Sequence, residues 1–152
     1  VTEQEQRARI IAVAHTWFPT PFVDQQGLKG VGVDCAYLLA RVAEESGIID
    51  HVEIPYYSPQ CYLHKKPDGT WDHTYEQIIL QYAHEITEDQ VKPGDFVLYK
   101  QSHSYTHGGI IIQWPESIIH PIRPHGVIYS DAREGFLRGR KHRFFSVFPR
   151  SC

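Results

Sequence analysis

From residue 95 onward the chain is written in short β-branched and aromatic words: "DFVLYK", "HGGIIIQW", "ESIIHPI", "HGVIYS" and "HRFFSVFP". Each has the length of a strand, and glycine, proline, serine and aspartate punctuate the gaps. Upstream the period is helical. Ala8, Ile11, Ala12, Ala14 and Trp17 recur at helix spacing over residues 3 to 17, and the prolines of "FPTPF" end that run. Ala36, Leu39, Val42, Ala43 and Ser46 share a face of a second helix, stopped by Gly47. "DHTYEQIILQYAHE" reads as a third, shorter helix. Helices followed by a run of strands predict an α+β fold, with the helices packed on a five- to six-stranded antiparallel sheet.

The 152 residues contain no repeat and no linker, so the expectation is one domain over 1–152. A formal charge of -3 gives no electrostatic case for nucleic acid. The run Arg138, Arg140, Lys141, His142, Arg143 reads as a solvated edge, with contact to an anionic polymer as the alternative. No apolar stretch reaches the length of a membrane span, and no secretory leader precedes the first helix. Gly27, Gly30 and Gly32 mark a loop before the second helix, and residues 50 to 70 read as a long ordered loop.

Chemistry concentrates at the head of the second helix. Cys35 follows Asp34, a residue type that caps helices, and would occupy the first helical position. A helix N-terminus favours negative charge, so the expectation is a thiol pKa lowered toward the working pH. The nucleophile then needs a base. His107 and His120 stand on neighbouring expected strands, and if "HGGIIIQ" and "SIIHP" pair as a hairpin the two imidazoles meet at one end of the ladder. One faces the sulfur and the other orients it, as in thiol hydrolases. Spacing alone leaves a second reading open, because a cysteine on a helix is by default a small buried hydrophobe.

The words in order, "GVDCAYLL", "KPGDFVLYK", "HGGIII" and "IIHPI", resemble the NlpC/P60 family of papain-like cysteine peptidases across nearly the whole chain. "LKGVG", "IPYYSPQCYLH" and the terminal "RFF" are similar to its phage-associated branch. The resemblance implies Cys35 as nucleophile, His107 as general base and His120 as the polar residue that fixes the imidazole. Asp34 matches an acidic residue that binds a substrate amine. The implied substrate is a peptidoglycan peptide. The implied setting is a phage tail or prophage, with tail proteins as partners and a place in the virion tail, or in the cytoplasm before assembly.

The pattern also departs from the family. Ala36 and Tyr37 replace the Ser-Gly that follows the cysteine, which changes the lining of the substrate subsite. Phe22 replaces a tyrosine whose hydroxyl lies near the sulfur, and Gln26 in the approach loop is the candidate to supply the missing donor. Cys61 and Cys152 are read as packing and incidental thiols. Tyr56, Tyr57, Tyr62 and Trp71 form either an aromatic wall over the cleft or loop packing. His103, His107, His120 and His125 lack metal-ligand spacing, so no metal or cofactor is expected. Two rival functions share these words: an amidase or acyltransferase on a non-wall substrate, and a non-catalytic tail or wall-binding module.

Overall fold

The computed structural model describes residues 1–58, 63 and 65–149. Cys61, Tyr62, His64 and Cys152 therefore lie outside the described residues. Helix α1 (Glu3–His15) is capped by Thr2, whose hydroxyl accepts from the Glu5 N–H. Strands β1 (Gly27–Leu28) and β2 (Gly32–Val33) form a short antiparallel ribbon where the sequence suggested only a loop. Val33 also bridges Phe22 in parallel, so the ribbon is tied on both sides and delivers the chain into α2 (Cys35–Glu45) at a fixed angle.

The third helix, α3 (Thr74–Tyr82), is shorter than the run that suggested it. Ala83 is already extended, and the next three residues form strand β3 (His84–Ile86) along β8 (His142–Ser146). Ile86 buries its side chain in the sheet's second apolar cluster, a gain that another helical turn would forgo. The remaining strands are β4 (Phe96–Gln101), β5 (Ser104–Gln113), β6 (Ser117–Ile122) and β7 (Gly126–Ser130). The six strands lie in the order β3-β8-β4-β5-β6-β7, all paired antiparallel.

Alternation along β4 and β5 explains why these strands are apolar on both faces. Phe96, Leu98 and Ile110 join Ile10, Leu38, Leu39 and Val42 in the core beneath the helices. Val97, Tyr99 and Ile111 point the other way and pack with Ile118, Phe144 and Leu137. Leu137 belongs to a one-turn helix (Gly135–Leu137) that covers this second face.

Two glycines set how closely α3 and β6 approach strand β5. A Cβ on Gly108 would stand 2.2 Å from the Tyr75 hydroxyl of α3, and one on Gly109 would stand 2.6 Å from Ile118 Cγ2. Only a residue without a side chain lets α3 and β6 approach β5 this closely.

Candidate active site

Asp34 caps α2 through Oδ1, which accepts the Tyr37 N–H at 2.9 Å. Its Oδ2 accepts the Gln25 N–H at 2.8 Å and the hydroxyl of Tyr57 in a short hydrogen bond. The carboxylate is thus buried with three donors. Burial raises its pKa, opposed first by the Tyr57 bond and then by the two backbone donors.

Cys35 is the first residue of α2 and 8% exposed. Its thiol donates to the Thr106 carbonyl at 3.3 Å, on the residue immediately before His107. The Tyr75 hydroxyl donates to the Cys35 carbonyl at 3.5 Å. Burial pushes the thiol up to about 12, and the neighbouring Asp34 charge adds to it; the Tyr75 hydroxyl and the N–H groups of Gly108 and Cys35 work in the opposite direction. The expected lowering by the helix N-terminus is therefore overturned. Half a unit charge at a helix end favours a thiolate only modestly, whereas a closed, low-dielectric pocket penalises it heavily.

β5 and β6 pair with Ile110 opposite Ile119 and Ile111 opposite Ile118. That register brings His107 and His120 together: His107 Nε2 lies 2.7 Å from His120 Nδ1, with the rings edge to face. His120 Nε2 in turn lies 2.7 Å from Ser130 Oγ at the end of β7. Two tautomer sets satisfy the chain: with each Nε2–H donating, His107 Nδ1 is left as an acceptor, and with Ser130 donating to His120 and His120 to His107 it is left as a donor. Both imidazoles are held neutral. Burial lowers His107 well below the usual histidine range, aided by His120 and Arg140, and burial alone brings His120 down to about 4.

Cys35 and His107 line one cavity of about 230 Å³, together with Asp34, Phe22, Tyr57 and Phe136. Of the residues expected at the substrate, Asp34 and Phe22 line this cavity. Ala36, Tyr37 and Gln26 do not. Ala36 faces the apolar underside of α2 beside Leu39 and Ala40. Tyr37 packs on Gly27 and under Arg41, and the Gln26 side chain is buried against Gly32 with its Oε1 unpartnered. Tyr57, which the long loop folds onto Asp34, brings a hydroxyl to the cavity that Phe22 also lines. Ser130, Thr106 and Phe136 had no signal in the sequence. Strand pairing or loop closure brings each to the site. Among the described residues no cluster of His, Cys, Asp and Glu could hold a metal ion, and no helix is long and apolar enough to cross a membrane.

Cys35 at the head of α2 thus shares a cavity with His107, which is bonded to His120 on the antiparallel sheet of an α+β fold. The particular fold is that of NlpC/P60 domains. The NlpC/p60 domain of the peptidoglycan hydrolase SagA is 19% identical, with a TM-score of 0.58 over 90% of this chain and 96% of that one. RipD from Mycobacterium tuberculosis, described as a non-catalytic NlpC/p60 domain protein adapted to peptidoglycan binding, is 15% identical at 0.57 over 94% and 98%. An NLP/P60 family protein from Staphylococcus aureus, similar to lipoprotein, is 18% identical at 0.63, and 93% of this chain spans 42% of that one. No protein-family model matches the chain, and no curated protein is significantly similar to it.

Proposed function

We propose that the protein is a cysteine-type amidase that hydrolyses peptide bonds of peptidoglycan through an acyl-enzyme on Cys35. The observation that carries this reading is the 2.7 Å contact between His107 Nε2 and His120 Nδ1; with His107 Nε2–H as its donor, the tautomer this reading takes, His107 Nδ1 is free to receive a proton in the cavity that Cys35 also lines. The thiol proton passes to Nδ1 as sulfur attacks the scissile carbonyl carbon. The oxyanion is met by the Cys35 N–H at the helix start. Collapse expels the amine, which takes the proton back from His107. Water then attacks the thioester, its proton going to His107, and the thiol and a free carboxylate are regenerated. The neutral resting pair means that proton transfer accompanies attack, with no standing thiolate. The phage-tail setting belongs to the same proposal and rests on the sequence words alone.

A second reading is a wall-binding module without turnover. It draws on the thiol's bond to the Thr106 carbonyl and on its raised pKa, and RipD is a protein of that description with the same fold. Incubation with purified peptidoglycan separates the two. The amidase releases new amines and loses that release in Cys35→Ala. A binder releases none from either protein.

A further inference from the structure

Arg7, Arg41, Arg123, Arg133 and Arg143 each hold an acidic partner within the fold. Arg143, the last cation of the basic run, turns to Glu76 and Glu85 and is thereby neutralised. Arg138, Arg140 and Lys141 hold no acidic partner among the described residues, and they follow one another within four positions of a chain whose formal charge is -3. A cluster of unopposed cations in an acidic protein is a local field the fold does not use for its own stability.

Arg140 and Lys141 line a hollow of about 720 Å³ together with Trp114, Glu88, Arg133 and His142, and Arg138 precedes Arg140 by two residues in the chain. Glu88 is the acid in it, and it accepts the Trp114 indole N–H at 2.9 Å, which fixes the ring. Trp114 lies 5.3 Å from the His142 ring and 4.7 Å from Phe144, so the indole is a supported aromatic surface and not a loose side chain. The hollow adjoins the catalytic cavity. The Arg140 guanidinium sits 4.1 Å over the Phe136 ring and donates to the Phe136 carbonyl at 2.8 Å. Phe136 lines the catalytic cavity, edge-on to His107 at 5.4 Å. One side-chain wall separates the two spaces.

We propose that this basic hollow holds the polymer part of the substrate: a peptidoglycan strand, with sugar rings against Trp114 and the free carboxylates of neighbouring stem peptides on Arg140 and Lys141, in a field to which Arg138 adds its charge. The inference rests on the amidase reading for the identity of the polymer. An indole offers a flat apolar face to a sugar ring, and guanidinium and ammonium groups match carboxylates that no acidic residue of the protein has claimed. A short peptide fills the cavity alone. A strand crosses the Phe136 wall and engages both spaces.

The experiment compares the wild type with Lys141→Glu and with the double variant Arg138→Glu, Lys141→Glu, all checked for the same thermal unfolding. Retention on purified sacculi is measured, alongside hydrolysis of a short soluble wall peptide. The double reversal should weaken retention by about tenfold, and wild-type retention should fall as salt rises. Short-peptide turnover should stay unchanged while turnover of intact sacculi drops with retention. Wild-type retention by the double variant would overturn the proposal, as would salt-insensitive binding or equal retention on immobilised DNA. Loss of retention in a protein that cleaves neither substrate would uphold the surface and sink the amidase reading, so the two failures are distinct.

Discussion

His107 and His120 are thirteen residues apart in sequence and 2.7 Å apart through Nε2 and Nδ1, joined by the β5–β6 register with its rings edge to face. The bond fixes which nitrogen of His107 is committed and which is available. His120→Asn or Gln, each able to offer an amide oxygen to His107 Nε2–H, should keep part of the turnover. His120→Ala should lose about 10- to 100-fold in kcat/KM, the usual cost of removing an orienting partner. Steady-state rates on a wall peptide check the order of the three variants.

Stability should fall on both sides of neutral pH. The folded values of His107 and His120 lie below the 6.5 of an ordinary imidazole, His120 at about 4. Their contribution is whole above pH 6.5 and is lost as pH falls from there toward 4, because the unfolded chain then binds protons that the folded one refuses. Cys35 works in reverse: raised from 9.0 to about 12, it favours the fold below pH 9 and loses that contribution as pH rises toward 12. Urea unfolding across pH should show both limbs, and Cys35→Ala should remove the part of the alkaline one that begins near pH 9, leaving that of the buried Tyr57, Tyr75 and Tyr99, raised from 10.0.

Gly108→Ala should destabilise the protein and cut activity together, since the new methyl would meet the Tyr75 hydroxyl at 2.2 Å. The hydroxyl is also the group bonded to the Cys35 carbonyl. Tyr75→Phe in the Gly108→Ala background should recover part of the lost stability, because the nearest remaining ring atom is 3.3 Å away. Thermal unfolding of the two single variants and the double variant measures that coupling.

Asp95 belongs to the scaffold. It is fully buried, accepts Arg7 Nη1 at 2.8 Å through Oδ1 and caps the Lys92 N–H through Oδ2. Asp95→Ala removes the buried member of the Arg7 ion pairs, leaving Glu3 on Nε, and strips the Lys92 N–H of its acceptor, and should cost about 2 kcal/mol. Turnover per folded molecule should be unaffected. Chemical denaturation and active-site titration on one preparation test both halves.

Legibility in the sequence followed the range of the interaction. Asp34 as a cap, Cys35 as the first helical residue and the pairing of the two histidine strands are local or near-local, and residue type with spacing was enough. The first residues of strand β3 fall in the run that suggests a helix, because "HE" carries no strand signal; its partner β8 lies some sixty residues on. Tyr57 and Ser130 reach the site by tertiary folding alone. The direction of the Cys35 shift runs against the helix-end expectation for the same reason. A helix start can be read from residue types, but the depth to which the rest of the chain buries it cannot.

The central claim is that the Cys35 sulfur becomes covalently acylated with His107 taking its proton. Intact-protein mass spectrometry after rapid acid quench of enzyme with a wall peptide, followed by proteolytic mapping, tests it directly. The account predicts one acyl adduct, on Cys35, absent in Cys35→Ala and strongly reduced in His107→Ala. An adduct on Cys61 or Cys152, or continued hydrolysis by Cys35→Ala, would contradict it.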